Sequence, residues 1–276
     1  MSFRTLLDQR WSQRAFLCVG LDTSFDRIPD RVKQGRSLDR AVFEYNRDIV
    51  EATCAHACAF KPNAAFYEAY GIEGMVALRD TIAYIKSNHP EVPVILDAKR
   101  ADIGSTNEGY VRAAFDVLGA DAVTVHPYLG KEALLPFLER GDKGILVLVK
   151  TSNPGAGELQ DLVVGEDGRP LYQVVAQNVA TAWNQNGNCG VVVGATYPQD
   201  LGVVRTIVGE LPILIPGVGA QGGELGAAVA AGKTAKSSGI LINVSRGVVF
   251  ASSGEDYADA AGAAAKDTND EINKYM

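Results

Sequence analysis

Histidine is scarce in this chain, with three in 276 residues, and cysteine is hardly commoner at four. Cys54 and Cys58 stand four apart, but no second pair or histidine set completes a zinc site. Cys18, Cys54, Cys58 and Cys189 therefore read as reduced thiols, and disulfides are not expected. Positive charge is also short: 26 Lys and Arg face 33 Asp and Glu, for a formal net charge of -7. That balance excludes a sequence-independent nucleic-acid binder, which needs a basic face to neutralise phosphates. An anionic substrate would have to be met by local positive charge. Long apolar runs are missing too. None approaches the roughly 20 residues that cross a bilayer. The opening Met-Ser-Phe-Arg-Thr-Leu-Leu-Asp has no apolar h-region and is not expected to be a signal peptide. These absences leave a cytoplasmic enzyme without membrane or nucleic-acid partners as the expectation.

What the chain does have is 47% hydrophobic residues, enough for a large core, in a pattern that repeats. Short apolar runs recur at 16–21, 57–60, 92–96, 122–125, 144–149, 190–194, 212–215 and 239–243. They are apolar throughout instead of alternating, as strands are when both faces of a parallel sheet are covered. Between them lie segments of helical periodicity: 38–52, 75–87, 111–118, 134–138, 172–183, 201–208, 225–231 and 257–265. Eight such units without a linker or composition break predict an α/β fold. A single (β/α)8 barrel with parallel strands, spanning residues 1–276 as one domain, is expected. An open doubly wound sheet is the alternative, but eight units favour closure.

A barrel places its chemistry just beyond the C-terminal ends of the strands. The polar residues there are Asp22, Lys61, Asp97, Lys99, His126, Lys150, Ser152, Thr196, the Pro216-Gly-Val-Gly run and Arg246. The densest group is Asp97-Ala-Lys99-Arg-Ala-Asp102, directly after Val-Pro-Val-Ile-Leu. Strand alternation sends Asp97 and Lys99 to one side, into the barrel mouth. Asp102 lies just beyond, before a helix start at Ser105-Thr-Asn-Glu108, which has the capping-box pattern. Arg100 should point away, into a strand–helix salt bridge. An isolated Asp-x-Lys is usually a structural ion pair. With Lys61 facing the same mouth, Lys61, Asp97, Lys99 and Asp102 are expected to titrate as one coupled, functional set.

The segment 96–107 resembles the signature of the orotidine 5'-monophosphate decarboxylases, in their long bacterial (type 2) branch. Val19-Gly-Leu-Asp22, Phe60-Lys-Pro-Asn63, Val149-Lys-Thr-Ser-Asn-Pro154, Ile215-Pro-Gly-Val-Gly-Ala-Gln221 and Asn243-Val-Ser-Arg246 extend the resemblance over nearly the whole chain. It implies conversion of orotidine 5'-monophosphate to UMP and CO2, in pyrimidine biosynthesis, with no metal and no cofactor. Lys99 would stabilise the carbanion at C6 and deliver its proton, Asp97 would crowd the substrate carboxylate, and Lys61 would orient the aspartates. Asp22 would bind the ribose and Ser152 the base. Pro216, Gln221 and Arg246 would line the phosphate side, where a guanidinium suits a dianion. Asp102, with Ile103 and Thr106, would complete the site of a second subunit, which implies a homodimer.

Some residues stay open. His126 stands where that branch carries asparagine, and a hydrogen-bonding role behind the site is expected. Lys150 could form a Schiff base, although the neighbouring Thr151-Ser152 fits the ligand better. Residues 155–170 make a long strand-to-helix connection, read as a lid or rim element. Two other functions compete: a Mg2+-dependent sugar-phosphate enzyme on the same barrel, and a nucleotide-binding barrel that has lost its chemistry.

Overall fold

The apolar runs fold as eight parallel strands in a computed structural model that describes residues 1–166, 168–219 and 224–276. They are β1 (Leu17–Gly20), β2 (Ala57–Lys61), β3 (Ile95–Arg100), β4 (Ala122–Val125), β5 (Gly144–Lys150), β6 (Cys189–Val193), β7 (Ile213–Pro216) and β8 (Ile240–Val244). Their neighbour order is β2-β1-β8-β7-β6-β5-β4-β3. Between β2 and β3 the ring is closed by two parallel bridges, Phe60 to Val94 and Asn63 to Asp97. At this seam Phe60 N–H donates to Pro93 O at 3.0 Å, and Asp97 N–H donates to Pro62 O at 2.9 Å. The expected (β/α)8 barrel is the observed fold.

Strands such as β1, β2, β4 and β6 are buried at every position, because their inner faces fill the barrel and their outer faces meet helices. The helix Leu38–Thr53 shows the complementary pattern. It buries Ala41, Val42, Tyr45, Asn46, Ile49, Val50 and Thr53, spaced three or four apart as one stripe. The last helix, Tyr257–Tyr275, runs ten residues beyond the expected end at 265. Its continuing stripe includes the polar Asn269, whose side chain accepts from Phe16 N–H and donates to Arg14 O. A hydrophobic count therefore stops too early.

The two barrel ends differ. The N-terminal end is capped by the helix Phe3–Ser12. There Arg10 donates to the carbonyls of Ala57 and Cys54, and Trp11 Nε1 donates to Ile240 O. These groups tie down backbone. The C-terminal end is open and holds a cavity ringed by the strand exits.

Candidate active site

The strand exits surround a cavity of about 740 Å³. Asp22, Lys61, Asp97, Lys99, Ser152, Pro216 and Arg246 all line it, as the sequence predicts. Gln221 was also expected there, but it lies outside the described residues. At its centre is the Asp97 carboxylate. Lys61 Nζ donates to Oδ2 at 2.8 Å, and Asn63 Nδ2 makes a longer contact at 3.5 Å. Lys99 Nζ donates to Oδ1 at 2.6 Å and Thr124 Oγ1 donates to the same atom at 2.9 Å. Asp22 extends the chain of charges, with its Oδ1 4.0 Å from Lys61 Nζ and its Oδ2 accepting from Ser245 Oγ at 2.6 Å.

Burial and charge compete here, and charge wins. Burial alone would push the Asp97 carboxyl up, but Lys61 and Lys99 outweigh it and hold Asp97 well below the usual carboxylate range. Burial would likewise favour a neutral Lys61, yet the carboxylates of Asp97 and Asp22 hold it protonated above the usual lysine range. Beneath them, burial pushes the Cys18 thiol up to about 12, so this sulfur is an inert apolar neighbour. Lys61 and Asp97 thus form a buried, charged pair within the alternating series Lys99, Asp97, Lys61 and Asp22. Two of the four are accessible from the cavity side: the Lys99 side chain is 49% exposed, and Asp22 is half-buried. The buried Oδ1 atoms of Asp22 and Asn243 accept no hydrogen bond from the described residues, and both residues line the cavity.

The backbone at Lys99 departs from the expected strand. Simple alternation would place Asp97 and Lys99 on one side, but Lys99 has φ 46°, in the left-handed region. That conformation costs a non-glycine residue roughly 1–2 kcal/mol. The β3–β4 register shifts between Leu96 and Arg100 at the same place. The two side chains still meet, through a bulge and not through strand periodicity.

Asp102 does not join the array. It does not line the cavity, and its carboxylate accepts the backbone N–H of Ile103 at 2.7 Å. Ile103 is 61% exposed and Thr106 is exposed as well, so this corner of the chain faces outward. The expected capping box is also absent. The helix begins at Gly104 and has no side-chain cap, while Asn107 turns inward to bond Asp102 N–H and O. Arg100 behaves as expected and pairs with Glu68 across the β2–β3 seam.

The fifth strand exit holds Thr151, Ser152 and Asn153 against the cavity. Gly194 lets Ser152 come close: a Cβ on Gly194 would sit 2.9 Å from Ser152 N. Lys150 faces elsewhere. It is buried outside the cavity, paired with Asp161 and 3.8 Å from Asp200 Oδ2. The rings of Tyr172 and Tyr197 lie 5.2 and 5.1 Å from its Nζ. A Schiff base with a cavity ligand is therefore out of its reach. The 155–170 connection is a rim element with a short helix, Gly157–Gln160, and a ribbon pairing Val163–Val164 with Arg169–Pro170. Gln160 ties it to Thr151 by two hydrogen bonds.

On the opposite side Gly217 and Gly219 adopt φ 97° and 69°, which lets the loop after β7 turn along the cavity wall. Arg246 opens a short helix beside it and meets no carboxylate among the described residues. The His126 ring has no hydrogen bond within the described residues and does not line the cavity, so its expected supporting role finds no partner. Sequence reasoning missed Asn63, Thr124 and Ser245. Asn63 and Ser245 sit inside recognised motifs, but Thr124 has no signal, since threonine in a strand is ordinary.

Fold and mouth together define a class of barrel protein that carries an array of charged side chains at its C-terminal face. A model of the orotidine 5'-phosphate decarboxylase / HUMPS family matches residues 16–261, and the chain belongs to that family. It is 50% identical over 276 residues to the orotidine 5'-phosphate decarboxylase of Azoarcus sp. (strain BH72), covering all of both chains. Among solved structures it resembles Leishmania donovani OMP decarboxylase, at 42% identity and a TM-score of 0.85 over 100% of this chain and 98% of that one. It also resembles Leishmania donovani UMP synthase, at 43% identity and a TM-score of 0.88, and spans 56% of that longer chain.

Proposed function

We infer that the chain decarboxylates orotidine 5'-monophosphate to UMP and CO2 in pyrimidine biosynthesis. The observation that carries this reading is the Lys99–Asp97–Lys61–Asp22 array, linked by ion pairs at the base of a nucleotide-sized cavity. The C6–carboxylate bond breaks, its electron pair stays on C6, and CO2 departs. The Lys99 ammonium stabilises that pair and then transfers a proton to C6. Solvent returns the proton to Lys99. No metal or organic cofactor takes part. Asp97 holds Lys99 in place and stands near the substrate carboxylate, so repulsion is relieved as CO2 forms.

The non-reacting parts of the substrate supply orientation. The orphaned Asp22 Oδ1 supports a hydrogen bond from the ribose, and the Ser152 hydroxyl reads the base. Arg246, Pro216 and the adjoining glycines grip the phosphate, and the family resemblance adds Gln221 as a substrate-binding residue. Residues 1–276 act as one domain, in the cytoplasm. The exposed Ile103 and Thr106, beside a half-buried Asp102 that lies outside the cavity, support a homodimer in which each chain completes the other's site.

The test is product formation by the purified chain with a metal chelator present. Stoichiometric UMP and CO2 are expected. No product, or an absolute requirement for added Mg2+, would overturn the reading.

A further inference from the structure

We propose that Thr124 is a positioning residue for the decarboxylation, the group that holds the Lys99 turn in its left-handed conformation. Three observations converge on this hydroxyl. First, the β3–β4 ladder pairs Leu96 with Val123 and Arg100 with Val125, so residues 97, 98 and 99 all face the single residue Thr124. The bulge leaves the Lys99 N–H without the backbone carbonyl that a regular ladder would offer. Second, that N–H donates to Thr124 Oγ1 at 3.0 Å. The side chain has taken the place of the missing carbonyl. Third, the same oxygen donates to Asp97 Oδ1 at 2.9 Å, the atom that also receives Lys99 Nζ at 2.6 Å.

A hydroxyl has one proton and can also accept. Because Lys99 N–H occupies an acceptor position, the Thr124 proton is left for Asp97, and the direction of both bonds is fixed. Backbone N–H, hydroxyl, carboxylate and ammonium then form a closed ring among Lys99, Thr124 and Asp97. The ring determines where Nζ can sit: its backbone root is held by Oγ1, and its tip by the carboxylate that Oγ1 also holds. Thr124 is 1% exposed and its fixed χ1 preference adds rigidity. Without the hydroxyl, the φ 46° turn loses the partner of its N–H, which favours a return to extended geometry.

This inference rests on the decarboxylase reading for its kinetic consequence, but not for its geometry. The test compares Thr124→Val, which keeps the shape and removes the hydroxyl, with Thr124→Ser, which keeps the hydroxyl. Thr124→Ala serves as the second hydroxyl-free variant should valine fail to fold. In the hydroxyl-free variants kcat is expected to fall about 100-fold, as a misplacement near 1 Å can cause. The KM for orotidine 5'-monophosphate and the affinity for UMP should change less than about threefold, because the ribose and phosphate contacts are untouched. Serine should restore kcat to within about fivefold of the parent. Unchanged kcat without the hydroxyl, a loss carried by KM alone, or a serine variant as poor as valine would each overturn the proposal. A crystal structure of Thr124→Val gives a reading independent of activity. Lys99 should leave the left-handed region or its Nζ should move away from Asp97. If both stay in place the proposal fails, even if the decarboxylase reading stands.

Discussion

Two lysines stand at two strand exits of this barrel, each beside a register shift, and they meet opposite fates. Lys99 follows the break in the β3–β4 ladder and Lys150 follows the break between β5 and β6 at Leu148. Lys99 is half exposed to the cavity and bonded to a carboxylate that lines it. Lys150 is 1% exposed, clasped by Asp161 and Asp200 and flanked by two tyrosine rings. The residue type and topological position are the same. What differs is the side on which the partners lie. Asp97 is rooted in the barrel wall and draws Lys99 inward, whereas Asp161 sits on the rim excursion and draws Lys150 outward. A polar residue at a strand exit is thus a place for function, and its ion-pair partner decides whether it serves chemistry or architecture.

The strongest way to break this comparison is to remove each amine in turn. Lys99→Ala should lower kcat by about 10⁴ or more, since in the proposed mechanism it removes both electrostatic stabilisation and the general acid. Titration calorimetry should still detect UMP binding to it. Lys150→Met should have a far smaller effect. Asp161 is half exposed and can regain water, so the excursion loosens without leaving a buried charge behind. Because Gln160 and Thr151 lose a rigid neighbour, KM should rise about tenfold, roughly 1.4 kcal/mol, with kcat within about threefold. A Lys150→Met enzyme with the deficit of Lys99→Ala would dissolve the contrast.

The smallest effect is one of pH. Asp97 is held well below its ordinary pKa, so its charge stabilises the fold at every pH above about 4 and that contribution is lost on acidification below it. Lys61 is held above its ordinary value, so its contribution is complete below about pH 10 and is lost only as pH rises through the folded value. Between pH 5 and 9 neither titrates. The melting-temperature difference between the parent and Asp97→Asn should be constant across that range and shrink below about pH 4. A difference that changes near neutrality would contradict the charge states assigned to the array.

The barrel was legible because a buried parallel sheet demands uninterrupted apolar runs, and eight of them stand in order. The site's location followed from the strand exits, and seven of the expected residues line one cavity. The finer geometry was not legible. Alternation assumes a regular strand, and Lys99 reaches Asp97 through a bulge that no spacing rule announces. The Ser105-to-Glu108 pattern suggested a capping box, yet the neighbouring Asn107 bonds its amide to Asp102 and the N-cap falls two residues earlier, at Ile103. Thr124 looks like any strand threonine until its hydroxyl is seen between Asp97 and Lys99. The proposed homodimer has no signature in periodicity, since the half-buried Asp102 would gain its role only beside a second copy.

The claim that Lys99 is the lysine of the chemistry is tested most directly by limited acylation with an amine reagent. Each lysine's modification would be followed by peptide mass spectrometry alongside activity. Lys99 should be acylated in parallel with the loss of orotidine 5'-monophosphate turnover, UMP should protect it, and the clasped Lys150 should stay unmodified. Inactivation that tracks Lys150, or full turnover by enzyme acylated at Lys99, would contradict the account.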